Sequence, residues 1–378
     1  MHDVIVVGSG PSGAIAGLNV ALSGKEVMIV DHQSMPRYKA CGGGVVGRAF
    51  KLLPASVRKR VFRETVSSVC TSAVIGLCQS GHETVIEWPQ PLIYMVMRAE
   101  FDNVLLSEAV KAGAKVITAK VNQLYCKSNR IVLETNQGEI ESKFVIGADG
   151  AKGVCSRLVS TSPIKIPAVE YEIGVGEESW AKLGKLARFD FEIICDGYAW
   201  SFPKDKGHLS MGILTMNRRS AGLHKRFLEY LDFLGINDIN SIVKKGHLIP
   251  LRGQQASVLD GRVLLVGDAF GCADSVTAEG ISGAILSGML AGDALNSGFD
   301  NPREVAPLYR KFLRRKIIND QKLAYILARG LYGSPNIRRV LLAKRNFIFD
   351  YMLKIMAGEA SYLSGFVHFP WKKSNLFN

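Results

Sequence analysis

The amino-acid sequence predicts an α/β protein: two interleaved domains, one built on a parallel sheet and one on an antiparallel sheet, followed by a helical segment. Three observations carry this. The apolar strand DVIVV (3–7) runs into GSGPSG (8–13), a small-residue helix to about Gly24 and a second strand, EVMIVD (26–31), which together make a β-α-β unit. Around 66–97 and 168–217 apolar residues alternate or cluster as in strands, in SAVIGL, ETVIEW, IYMVM, FDFEII, YAWSFP and HLSMGIL. From about 303 to 357 the apolar residues recur with helical period.

The remaining elements follow in order. AEFDNVLLSEAVKA (99–112) has helical period, and KVITAK (115–120), RIVLET and KFVIGADG (143–150) read as strands. AGLHKRFLEYLDFLG (221–235) is a helix, and GRVLLVGDA (261–269) returns as a buried strand. TAEGISGAILSGMLAGDAL (277–295) has the small residues of a closely packed helix. A chain of 378 residues exceeds one simple core. The expected division places 1–65, 98–165 and 255–300 in the first domain, 66–97 and 166–254 in the antiparallel domain, and 301–378 in a basic helical region.

Apolar residues make up 47% and charged residues 21%, so the chain is globular and not disordered. Seven cysteines, an odd number with no CxxC pair, suggest neither a disulfide framework nor a zinc or other metal site. Reduced thiols fit the cytoplasm. Residues 3–7 already read as a core strand, so no signal peptide is expected, and no apolar run approaches the roughly 20 residues of a membrane span. The net charge is +13, and residues 301–378 hold 15 Lys+Arg against 4 Asp+Glu. Basic, apolar and aromatic residues together suit an anionic membrane surface, as a peripheral protein on its inner face. A solvated basic face, or a docking face for an acidic electron-transfer protein, would have the same composition. No nucleic-acid motif accompanies the charge.

Gly8, Gly10 and Gly13 form G-x-G-x-x-G between strand and helix. Gly8 permits the tight turn, Gly10 the approach of a pyrophosphate, and Gly13 close helix–strand packing. The helix N-terminus offers free N–H groups to phosphates. Asp31, ending the second strand, is placed to accept from a ribose diol. This is the Rossmann-like unit of a dinucleotide site, and by itself it leaves FAD and NAD open. Gly267-Asp268 and Asp149-Gly150 end two further strands, and Arg98 sits at a strand-to-helix junction.

These features, in this order, resemble the FAD-dependent hydroxylases and their relatives. The resemblance implies that Asp268 contacts the ribityl side of FAD with Gly267 in close approach, that Arg98 contacts the cofactor, and that Asp149 is structural or lies near the pyrophosphate. It also implies that the helix beginning near Gly280 and Ile281 points its N–H groups at the flavin edge that becomes negative on reduction. Ser12, in the first turn, and Val121, just past KVITAK, join the expected cofactor-binding positions. No second G-x-G-x-x-G follows a strand, so electrons are expected from transiently bound NAD(P)H or from a reduced electron-transfer protein.

KACGGG (39–44) places a cysteine before three glycines ten residues past the second strand. Without β-carbons, Gly42, Gly43 and Gly44 let backbone lie against a flavin ring, and Cys41 would face the reaction space. This stretch resembles the K-x-C-G-G-G motif of the geranylgeranyl reductase family. GYAWSFPKDKGHLSMGI (197–213) resembles that family's Y-x-W-x-F-P motif, here Tyr198, Trp200, Phe202 and Pro203. Alternation puts the three aromatics on one face of a strand, a wall suited to a hydrocarbon chain. DSVTAEGISGAILSG (274–288) is similar to a third motif, with Ser275 for its proline and Ala278 for its first glycine.

The resemblance implies FAD-dependent hydrogenation of isolated C=C bonds in a polyprenyl lipid or isoprenoid. Hydride would reach one alkene carbon, and a proton would reach the other from Cys41 or a water it positions. An apolar setting would keep that thiol neutral. The same residues admit blander readings: the cysteine as a small buried apolar group, the aromatics as core. Two rival functions share the scaffold: an FAD monooxygenase or halogenase, and a noncatalytic flavin or lipid carrier.

Overall fold

His2–Val7 lies near the middle of an eight-stranded sheet because Val4, Ile5 and Val6 carry no polar group and are fully buried. The sheet runs Ser257–Val258, Val263–Leu265, Gly138–Gly147, His2–Val7, Val27–Asp31, Lys115–Thr118. The hairpin Val121–Lys127/Arg130–Thr135 pairs with Gly138–Gly147. The strands ending at Val7, Asp31, Gly147 and Leu265 are mutually parallel, so their carboxyl ends open on one side. In parallel sheets that is where ligands bind. The structure is a computed structural model and describes residues 1–218, 222–253, 255–342 and 347–368.

Helix Pro11–Leu22 packs against this sheet, and helices Arg98–Lys111 and Ile281–Gly298 both pack against that helix. Small residues allow the approach: a Cβ on Gly288 would lie 2.3 Å from the Ser12 carbonyl oxygen.

The second sheet has seven strands, in the order Ile239–Leu251, Ile164–Val175, His208–Thr215, Gly197–Pro203, Ala187–Phe191, Ser72–Leu77, His82–Glu87. Neighbours are antiparallel except Ala187–Phe191 with Ser72–Leu77. A three-stranded sheet, Gly44–Val46, Ile93–Val96 and Val66–Cys70, ties the Cys-Gly loop to this half. The strand Ile239–Leu251 has no counterpart among the expected elements. It is an edge strand with exposed Lys244 and Lys245, and a charged edge that resists further pairing lacks the apolar alternation of a half-buried strand. The helices Gly47–Leu52 and Ala55–Thr65 also go beyond the expected set.

The C-terminal region is helical, with Pro302–Leu313, Asn319–Gly333, Pro335–Leu342, Phe347–Ala357 and Tyr362–His368. Its apolar residues Ala324, Ala328, Leu331, Tyr332, Leu353 and Tyr362 share a core with Tyr198, Trp200 and Phe202 of the antiparallel sheet. Residues 343–346 and 369–378, which carry part of the expected basic and aromatic tail, lie outside the described residues. Among the described residues no helix is long and apolar enough to cross a membrane. All seven cysteines are free.

Candidate active site

A cavity of about 610 Å³ runs from the Gly-rich turn, past the Cys-Gly loop, to the antiparallel sheet. That is within the usual range for a cofactor or ligand site, roughly 300–1,000 Å³.

At the first end, Gly8 takes a φ of +105° and a Cβ there would meet the Ala148 carbonyl oxygen at 2.3 Å. Gly13 is away from the lining; its Cβ would sit 1.9 Å from the Gly8 oxygen, so it serves the helix–strand contact. Gly10 caps the helix with no side-chain hydrogen bond, Pro11 follows, and the first turn holds no acid. The N–H groups of Ser12 and Gly13 have no carbonyl in the preceding turn to bond to, as at any helix start. Asp31 accepts the N–H and O–H of Ser9, at 2.8 and 2.6 Å, on one oxygen and the Gln33 N–H at 3.1 Å on the other. Burial works to raise its pKa, but the Ser9 bonds and the Arg37 charge outweigh it and hold the carboxyl below the usual range. Sequence reasoning missed Arg37. It lines the cavity, lies 3.9 Å from Asp31 and 4.0 Å from Asp102, and its buried Nε has no partner among the described residues. Val121 lines the same end.

In the middle, Arg98 donates two hydrogen bonds of 2.8 Å to Asp102, one helical turn on, and both are buried. This fork fixes the guanidinium beside the Cys-Gly loop. Asp149 accepts the Cys155 N–H at 2.8 Å on one oxygen; the other is buried with no partner among the described residues, and burial raises this carboxyl. Asp268 lines the cavity with His247 at 3.4 Å and Lys39 at 3.9 Å. Burial opposes its charge, yet the His247 bond and the Lys39 charge hold it below the ordinary value. Gly267 stands behind the wall, its N–H given to Ser287 Oγ at 2.9 Å and the space a Cβ would need filled by Ser12. Gly280 and Ile281 line the cavity at the start of helix Ile281–Gly298. The Ser282 N–H is already taken by Glu279 at 2.6 Å, so this helix start is partly self-capped.

At the far end, register shows which side chains share the face toward the cavity. Trp200 pairs with Gly212, Gly212 with Glu170, and Glu170 with Lys245; Tyr198, Leu214, Ala168 and His247 form the next row. Opposed residues in antiparallel pairs point the same way. The face therefore runs from aromatic to charged. A Cβ on Gly212 would lie 2.2 Å from the Trp200 ring, so the indole lies over that glycine toward Glu170. Tyr198, Trp200 and Phe202 all line the cavity. Pro203 does not: alternation turns it to the opposite face, and its carbonyl accepts from Ser68 at 2.8 Å.

Cys41 and all three glycines line the cavity. The glycines also admit protein groups: a Cβ on Gly42 would meet Trp200 Nε1 at 3.0 Å, and one on Gly43 would meet Lys204 Nζ at 1.8 Å. The surroundings of the thiol are only partly the apolar ones expected: Cys41 packs against the apolar core but also meets polar groups. Its sulfur accepts the Gly43 N–H at 3.4 Å and lies within hydrogen-bond reach of Arg98, with the buried Lys204 ammonium close by. Glu170, Tyr38 and His247 carried no sequence signal, because each reaches the site through strand pairing or a loop.

The residues fit a flavin dinucleotide. Arg37, the bare Gly10 turn and the free helix start suit the phosphates, and Arg37, Asp149 and Trp200, each with a buried polar atom that has no partner among the described residues, all line the cavity. Residues 1–181 match the FAD binding domain family. An uncharacterized protein of Methanosarcina barkeri is 31% identical over 88% of this chain and 84% of its own length. The menaquinone reductase of Mycobacterium tuberculosis is 26% identical over 82% of this chain and 79% of its own. The digeranylgeranylglycerophospholipid reductase of Methanosarcina acetivorans is 26% identical over 86% and 84%. A geranylgeranyl bacteriochlorophyll reductase-like protein of Thermoplasma acidophilum shares the fold, with a TM-score of 0.77, 19% identity, and coverage of 98% of this chain and 97% of that one. Fold and site are those of an FAD-dependent oxidoreductase. Within that class, the chain belongs to the geranylgeranyl reductase family.

Proposed function

We propose that this enzyme hydrogenates isolated C=C bonds of a polyprenyl chain carried on a lipid or isoprenoid. The observation that carries the reading is the row of Tyr198, Trp200 and Phe202 on one strand face, lining one cavity together with the Cys41 loop. An aromatic face holds a hydrocarbon chain without asking it for hydrogen bonds. Bound and reduced, FAD supplies hydride. The chain's own residues would do the rest: Ser12, Asp31, Arg37, Arg98 and Asp268 hold the cofactor, the aromatic wall lays the alkene beside the Cys-Gly loop, and the helical region closes the cavity through Met356. Cys41 faces the alkene as a proton carrier or by placing a water. The relatives' names, a menaquinone reductase and a digeranylgeranylglycerophospholipid reductase, support an isoprenoid substrate and leave its headgroup open.

Exposed Ile326 and Ile337, among the basic residues of helices Asn319–Gly333 and Pro335–Leu342, support docking on an anionic membrane surface, from which the substrate would be drawn. The electrons would come from NAD(P)H or an acidic electron-transfer protein.

The test is anaerobic. The FAD-loaded protein is reduced with dithionite and mixed with a polyprenyl lipid extract. Flavin reoxidation together with a gain of two hydrogens per double bond is the expected result, and the lipid that gains mass identifies the headgroup. Cys41→Ser should keep FAD and slow the reoxidation. A flavin that stays reduced with every lipid until air enters would overturn the reading in favour of a monooxygenase.

A further inference from the structure

Reducing an isolated alkene consumes a proton as well as a hydride, and the cavity holds an acid outside the family motifs. Glu170 is 3% exposed, lines the cavity, and shares its sheet face with Trp200 through Gly212. Tyr38 donates its O–H to the carboxyl at 2.9 Å. Glu172, two residues on and on the same face, lies within hydrogen-bond reach of Glu170. His208 Nε2 stands 2.8 Å from Glu172 and is 30% exposed, so the row connects cavity to solvent.

We propose that Glu170 is the resident acid from which the proton for the reduced double bond is drawn, and that Glu172 and His208 reload it from solvent. This rests on the reductase reading above. The balance is simple. Hydride from reduced flavin forms a C–H bond at one alkene carbon, the Glu170 O–H bond breaks, and its proton forms the C–H bond at the other, directly or through Cys41 or its water. A proton from solvent then enters at His208 and passes over the Glu172 carboxylate to restore the Glu170 O–H, leaving both carriers as they began. Two electrons leave the flavin and none are needed elsewhere.

Charge placement supports the assignment. Lys204 is buried beside the pair and gives a 2.7 Å hydrogen bond to the Val96 carbonyl. One ammonium balances one carboxylate, and Glu172 also has His208. Arg98 is committed to Asp102, and His247 and Lys39 to Asp268. Lys245, the register partner of Glu170, holds its ammonium 5.9 Å from the centre of the Tyr38 ring. Among the described residues the second carboxyl of the pair has no cation of its own. Two buried carboxylates in contact do not both ionise. Burial, then the neighbouring Glu172, pushes Glu170 up to about 8, while Glu172 is held low by His208 and Lys204 against its own burial. Cys41, by contrast, is found accepting a hydrogen bond, from the Gly43 N–H.

The test reads both the proton and the reaction. In infrared difference spectra at neutral pH, the wild-type protein, with or without FAD, should show a protonated-carboxyl band that Glu170→Gln removes and that fades as pH rises past about 8. Glu172→Gln relieves the repulsion and should move the fading to lower pH. In the anaerobic lipid assay, Glu170→Gln should retain FAD and slow reoxidation on the order of 100-fold, the size of a general acid's contribution. The wild-type rate should fall over the alkaline range in which the band fades, because the donor must carry its proton. A band that Glu170→Gln leaves in place, or a Glu170→Gln variant with the wild-type rate, overturns the proposal. If lipid reoxidises neither protein, the reductase reading has failed, and the proton-supply role fails with it whatever the band shows.

Discussion

Ala278 shows what a single methyl group can cost. It follows Asp274-Ser275-Val276-Thr277, whose turn is tied by Asp274 accepting the N–H groups of Val276 and Thr277 at 2.9 and 3.0 Å. The turn carries Ala278 to a φ of +56°, a left-handed conformation that a β-carbon opposes by about 1–2 kcal/mol. Glycine would remove that strain and give back part of the gain through its freer unfolded chain. Ala278→Gly is therefore expected to stabilise the protein by about 1 kcal/mol net, read as a higher denaturant midpoint with unchanged slope; a lower midpoint would show that the alanine methyl contributes packing instead. The departure of residue 278 from glycine was visible in the sequence, and its physical meaning needed the backbone angle. The same division holds across the site. Gly8, Asp31 and Asp268 were legible because tight turns and strand ends leave local signatures. Glu170 was not, because its neighbours Tyr38, Lys204 and His208 are each more than thirty residues away in the chain.

Among the elements, the strand His208–Thr215 joins the two characters of the cavity face. It pairs with the aromatic strand on one side and with the strand of Glu170 and Glu172 on the other. Gly212 is its contact point. An added Cβ would lie 2.2 Å from the Trp200 ring and 2.5 Å from the Val169 carbonyl oxygen, and the second atom is backbone that cannot swing away. Gly212→Ala should cost about 1–3 kcal/mol, as overpacking does, and shift tryptophan fluorescence while FAD still binds, because the phosphate end belongs to the other sheet. Loss of FAD with unchanged fluorescence would contradict this division of labour. Element type was readable where one face is buried, as in GYAWSFP. It was unreadable for Ile239–Leu251, where exposure at the sheet edge removes the apolar period while hydrogen bonds to Ile164–Val175 still hold the strand.

At the scale of the molecule, the question is whether the C-terminal helices are an added basic layer or part of the active site. Composition alone emphasised their charge. The structure shows their apolar faces and hydrogen bonds committed to the flavin-side loop: Gln321 donates to the Cys272 carbonyl at 2.6 Å, Tyr332 donates to the Val276 carbonyl, and Tyr362 donates to Asp274 at 3.0 Å. Arg48 reaches the same carboxylate at 3.5 Å and Glu279 at 3.4 Å, so helix Gly47–Leu52, beside the Cys-Gly loop, joins the fastening. Tyr362→Phe tests this directly. It removes one donor and orphans no buried acceptor, since Asp274 Oδ1 keeps the Val276 and Thr277 N–H groups. A hydrogen bond to a charged acceptor contributes about 1.5–3 kcal/mol. The variant should melt at a lower temperature and release FAD faster, because the loop it loosens leads into Gly280 and Ile281 at the cavity wall. A variant that melts lower but holds FAD as the wild type does would make the helices a stabilising layer only. Weakened stability and weakened FAD retention together would make them the wall that closes the reaction space.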